Sequence, residues 1–163
     1  SNPTAVALGE VEALLPDADG NLYFSDFTGH RVYRLRDGQL TTFAGTGVRG
    51  YTGDGGRANA ATLYSPSGLA FDATGGLVIT DTNNSRIRRV DLSTGIITTI
   101  AGTRRGLCGD GGPAAEGCFF NAFTLASSPS GDIYVADRDN SRIRRIDAAG
   151  RLSTAAGNGL LLA

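Results

Sequence analysis

The chain has 163 residues and a mass of 16.8 kDa, room for one domain with a core of its own, and a 40 % hydrophobic share typical of globular proteins. A formal net charge of −1 and a pI near 5.7 exclude a whole-molecule field drawing the chain to nucleic acid or an anionic membrane. No apolar run approaches the roughly 18 residues of a transmembrane helix.

All 15 basic residues are Arg, Gly occurs 24 times, and Met is absent, so Ser1 is expected to arise by processing, tag cleavage or excision from a longer chain. In chain order, one phrase is written three times: GNLYFSDFTGHRVYRL from Gly20, GGLVITDTNNSRIRRV from Gly75 and GDIYVADRDNSRIRRI from Gly131. The links repeat as well, FAGTGVRGYTGDGGRANAATL from Phe43 and IAGTRRGLCGDGGPAAEGCFF from Ile100, with a shortened AAGNG from Ala155.

The middle copy shows the predicted elements best. Residues 69–72, 77–80, 86–91 and 96–101 are short runs rich in Val, Ile, Leu, Thr and Phe, separated by Gly, Asn, Asp and Ser. That is a strand-and-turn pattern, and no helical period competes with it. Four consecutive strands per repeat predict an all-β chain, an arc of three four-stranded antiparallel blades of a β-propeller. The repeats span about 8–57, 63–113 and 119–158 of a single domain over 1–163, joined by GDGG-containing loops at 45–62 and 102–118.

The run SPSGLAFDATGGLVITDTNNSRIRRVD from Ser65, followed by AGT and GDGG, resembles the NHL repeat of β-propellers in its glycine-rich bacterial and extracellular form. The first copy carries the His30-Arg31 pair typical of that motif. The resemblance covers almost the whole chain and implies a propeller, in most members six-bladed. Its functional range runs from protein binding, RNA binding and sensing to occasional lyase or lactonase chemistry, so fold alone does not choose among them.

Three blades leave two faces in water. PTAVAL at 3–8 aligns without gaps with ANAATL at 58–63, and the tail AAGNGLLLA stops just before a GDGG loop would follow. Two chains placed head to tail about a twofold axis are therefore expected to close a six-bladed ring as a homodimer. The alternative is a piece of a longer propeller.

Asp26, Asp81 and Asp137 each precede Arg31, Arg86 and Arg142 by five residues, which predicts a structural carboxylate–guanidinium pair at every hairpin. Arg34, Arg88, Arg89, Arg144 and Arg145 are expected to lay their stems on neighbouring blades, with heads in solvent or on Asp91 and Asp147. A ring of Arg reading phosphate is disfavoured by the negative net charge and by the lack of interleaved aromatics. Asp54 and Asp110 of the GDGG loops, with Glu116 near the second, are Ca²⁺ candidates, but six to eight oxygens are wanted and each loop offers one clear carboxylate. Structural turns needing positive φ explain these glycines, and no cofactor is expected.

Cys108 and Cys118 flank the second GDGG loop and are expected to form a disulfide, which implies an extracellular, periplasmic or cell-surface setting. Their counterparts in the first link are expected at Tyr51 and at Ala61 or Thr62.

Zinc-lyase chemistry of the kind the resemblance implies would need several histidines; this chain has His30 alone, where the other copies have Ser85 and Ser141. No nucleophile elbow, HExxH or thiol with a nearby base is visible, and nothing singles out Glu12, Asp72 and Asp81 as a metal set. No catalytic or metal residue is assigned. The expected function is an interaction or scaffold module whose loop tips, Phe27, His30, Thr82, Asn83, Asn84, Arg138, Asp139 and Asn140, meet a protein, peptide or glycan. The alternative is half of a larger sensor or lyase/hydrolase-type enzyme.

Overall fold

A computed structural model describes residues 2–160. Strands β1 (Val11–Pro16), β2 (Leu22–Asp26), β3 (Arg31–Arg36) and β4 (Gln39–Ala44) form one antiparallel sheet in chain order. β5 (Pro66–Phe71), β6 (Leu77–Asp81), β7 (Arg86–Val90) and β8 (Ile97–Ala101) form the second. Two short strands, β9 (Arg104–Arg105) and β10 (Cys118–Phe119), pair in parallel within the second link. β11 (Ala122–Ser127), β12 (Ile133–Asp137), β13 (Arg142–Ile146) and β14 (Leu152–Ala156) form the third sheet.

The four predicted runs correspond to β5–β8, except that β5 begins three residues earlier, at Pro66. The register of β5 on β6 shifts between Pro66 and Leu69, and β1 and β11 carry the same irregularity. A bulge breaks the period of two on which a strand reading depends, so the start of each first strand is hidden in the sequence.

The first strands lie side by side across the three sheets, with β5 between β1 and β11. Side chains between the first two sheets make one core, including Tyr23, Val32, Leu63, Leu77, Ile79 and Ile97. Between the second and third lies another, including Val78, Ile87, Phe119, Val135 and Leu152. Burial follows position. All five residues of β6 are buried because its sheet is covered on both faces, whereas β12 alternates between buried and half-exposed.

Both links are built alike. Gly45 and Thr46 N–H donate to Ala58 O and Ala61 O (2.9 Å each), and Gly102 and Thr103 N–H to Ala114 O (3.1 Å) and Gly117 O (2.9 Å). Each GDGG turn then pairs with the outer strand of the next sheet, Gly55 N–H to Ile97 O (2.8 Å) and Gly111 N–H to Leu152 O (2.8 Å). Gly53, Gly55, Gly109 and Gly111 have φ between +80° and +95°, a region L side chains rarely adopt.

Cys108 and Cys118 are bonded. Their counterparts in the first link are Thr52 and Thr62, whose hydroxyls lie 3.0 Å apart; of the expected positions Thr62 is the one found, and Thr52 stands in place of Tyr51. The first link carries one extra residue before its GDGG, which displaces a gapless alignment by one.

Candidate functional site

The acidic residue closing each second strand organises the turn beyond it. Asp81 accepts from Tyr64 N–H (2.7 Å), Asn84 Nδ2 (2.8 Å) and Arg88 (3.3 Å). Asp137 repeats the set with Phe120 N–H (2.7 Å), Asn140 Nδ2 (2.8 Å) and Arg144 (3.2 Å). Asp26 accepts from Gly9 and Gly29 N–H (3.2 and 2.8 Å).

The expected pairs therefore take a different form. Arg86 and Arg142 stand opposite Asp81 and Asp137 in register, but their guanidinium groups donate to Asn84 O and Asn140 O. Arg31 stands opposite Asp26 and donates to Thr46 O (2.8 Å). The cation on each carboxylate is two residues further on, Arg88 or Arg144, both 0 % exposed. Their heads, expected in solvent or on Asp91 and Asp147, are instead buried because each also meets the GDGG carboxylate, Arg88 on Asp54 and Arg144 on Asp110, at 2.7 Å. Asp54 and Asp110, weighed as Ca²⁺ ligands, are thus engaged by these arginines. In the first copy Tyr33 occupies this position. Burial pushes the Asp81 carboxyl up to about 6, against the pull of Tyr64, Asn84 and Arg88.

Of the third-strand arginines, Arg89 pairs with Asp72 and lies 3.8 Å from Asp91, while Arg145 pairs with Asp132 at 3.0 Å. Asp72 and Asp81, weighed with Glu12 as metal ligands, both serve arginines. Among the described residues no three His, Cys, Asp or Glu side chains gather as a metal-binding group.

The loop tips divide into two sets. Asn84 and Asn140 turn inward, donating also to Gly50 O (2.6 Å) and Gly106 O (2.8 Å), and Thr82 is buried with its hydroxyl on Ala122 O (2.8 Å). His30, Ser85 and Ser141 share one left-handed turn position, with φ of +55°, +55° and +49°. His30 Nδ1 lies 3.2 Å from both Phe27 O and Ser65 N, within its own turn and the start of the next sheet.

The outward set converges. Phe27, Asn83, Arg138 and Asp139, one or two from each sheet's turn, line a cavity of about 390 Å³. Thr82 and Ser85 line it as well, while sequence reasoning missed Arg105, Phe120, Asn121 and Phe123, because they lie outside the repeated phrase. The only signal available was an aromatic cluster, FFNAF, at the start of the third copy.

In that cavity the Arg105 guanidinium lies 3.8 Å from the Phe120 ring centroid, and Arg138 5.3 Å from that of Phe123, which in turn is 6.3 Å from Phe27. Aromatic faces hold both guanidinium planes while leaving N–H donors open to a ligand. Such a surface can stack on flat groups and accept carboxylates; it gathers no nucleophile with a base.

Comparison with known proteins decides the family. The model described as the Teneurin NHL domain matches residues 12–107, more than half of the chain, and the NHL repeat model matches residues 124–146. The chain belongs to the Teneurin NHL domain family. The chain is 39 % identical over 79 residues to Protein SUPPRESSOR OF QUENCHING 1, chloroplastic, of Arabidopsis thaliana, covering 47 % of this chain and 7 % of that protein. It is 39 % identical over 98 residues to Teneurin-3 of Mus musculus, covering 52 % and 4 %. The chain thus spans less than a tenth of either relative.

Among solved structures, an auxiliary nutrient binding protein from Bacteroides ovatus matches with a TM-score of 0.69 and 18 % identity, over 91 % of this chain and 38 % of that one. A gluconolactonase from Xanthomonas campestris matches at 0.65 and 19 %, over 91 % and 48 %. Virginiamycin B lyase from Staphylococcus aureus matches at 0.59 and 17 %, over 90 % and 41 %. These likenesses show the propeller-like fold alone.

Proposed function

We propose that the chain is a non-catalytic interaction module whose loop tips capture a protein or peptide partner bearing carboxylates and flat side chains. The observation that carries this reading is the tip cavity, where Arg105 and Arg138 are braced on Phe120 and Phe123 and enter no ion pair among the described residues. Rigid sheets beneath mobile recognition chemistry is the usual division of labour on repeated scaffolds. The frame acids Asp72, Asp81, Asp132 and Asp137 are committed to arginines, which supports a structural role for them. The Cys108–Cys118 bond supports an oxidising location, extracellular or periplasmic.

The test is an array of short peptides matched in length, half rich in Asp, Glu and Tyr and half with Gln and Leu in their place. The acidic aromatic set is expected to be retained, and the combined variant Asn83→Ala, Arg105→Ala, Arg138→Ala to lose about tenfold or more in affinity with its thermal midpoint little changed. Equal retention of both sets, or undiminished binding by the variant, overturns the reading.

A further inference from the structure

The joint between neighbouring sheets is a knob in a hole. Leu63 and Phe119, each two residues past the C-cap of a short turn (Ala58–Ala60 and Ala114–Glu116), are 0 % exposed. They press on Gly45 and Gly102, where an added Cβ would come within 3.2 Å of the Leu63 or Phe119 side chain and closer still to backbone. The hole is walled by Val32 and Ala44 in one joint and by Ile87 and Ala101 in the other, all four completely buried.

The third sheet has this hole without a knob. Gly157 lies against Ser141 O and Arg142 Cα just as Gly45 lies against His30 O and Arg31 Cα, yet among the described residues no inserted side chain completes the set. Ile143, the counterpart of Val32 and Ile87, is 39 % exposed. An apolar cavity of about 400 Å³ opens there, lined by Phe123, Ile143, Ala156 and Gly157 among others. The first sheet has the knob without a hole. Its short turn Pro3–Ala5 matches the other two turns, and Leu8, at the position of Leu63 and Phe119, is 43 % exposed.

We propose that residues 3–8 of one copy dock on the open face of the third sheet of a second copy. Leu8 enters over Gly157, and Gly157 and Asn158 N–H donate to Pro3 O and Val6 O, as Gly45 and Thr46 donate to Ala58 O and Ala61 O within the chain. Applied twice about a twofold axis, the joint closes two chains into one ring. A second copy fits the space because knob and hole both belong to this chain: Leu8 and the turn Pro3–Ala5 repeat the elements that fill the same hole at Gly45 and Gly102. Phe123 and Arg138 line both this cavity and the tip cavity, and Leu8→Arg and Ile143→Arg leave both residues in place, so peptide retention by these variants is read apart from their mass.

Light scattering on a sizing column, at tens of micromolar, reads the outcome directly. Wild type is expected at twice the 16.8 kDa chain mass. Leu8→Arg and Ile143→Arg, both exposed in a single copy and so compatible with folding, are each expected to halve it with an unchanged circular dichroism spectrum. A wild-type mass of 16.8 kDa, a doubled mass that survives either substitution, or species growing without limit with concentration overturns the closed pair.

Discussion

Arg88 shows how one side chain ties three parts of a repeat together. It is fully buried, sits between the carboxylates of Asp81 and Asp54, and leaves its Nε without a partner. Burying a guanidinium is costly unless the charges and hydrogen bonds around it are nearly complete, so its two partners are not equivalent. Asp81 is 0 % exposed and Asp54 48 % exposed. Arg88→Met strands a buried carboxylate and is expected to cost about 3–5 kcal/mol, whereas Asp54→Ala removes a half-solvated partner and is expected to cost about 1 kcal/mol or less. Urea denaturation of both variants decides it; equal losses would mean that the buried pair does not carry the turn. Proximity of acid and base was legible in the sequence from their five-residue spacing. The choice of arginine was not. Positions 86 and 88 share a face of β7, and only the Asp54 loop, 34 residues away in the chain, draws Arg88 into the centre.

At the scale of elements, the two links are the same structure closed by different chemistry. Thr52 and Thr62 meet through hydroxyls and backbone in the first, while Cys108 and Cys118 are covalently joined in the second. Hydroxyl contacts at an exposed site compete with water and contribute modestly; a cross-link over ten residues constrains the unfolded chain as well. The double variant Cys108→Thr, Cys118→Thr makes the second link a copy of the first. It is expected to fold and to lose about 2 kcal/mol, read as a fall in the denaturation midpoint that reductant no longer changes. A midpoint equal to wild type would show that the bond adds nothing to the link. Strand number and order within the three four-stranded sheets were readable because Gly, Asn and Asp punctuate every turn, and so was the cysteine bond, whereas the short pair β9 and β10 was not. The tip cavity was not, since Arg105 and Phe123 come from β9 and β11 and meet only when the third sheet packs beside the second.

At the scale of the molecule, the sheets stack in a line, and each draws its stability from the neighbour whose core it shares. The middle sheet is covered twice, the outer two once, so Leu8 and Ile143 remain exposed where Leu63 and Val32 are buried. If the outer faces join a second copy, unfolding releases two chains from one particle, and mass action requires the thermal midpoint to rise with protein concentration. A hundredfold dilution weakens that linkage by about 2.7 kcal/mol per particle. For sheets of this size the shift is expected to be several degrees in wild type and absent in Leu8→Arg, whose midpoint should match that of wild type at the dilute end. A midpoint independent of concentration in wild type would place the stability of the stack within the single chain, with both outer faces held by the N-terminal turn and by solvent alone.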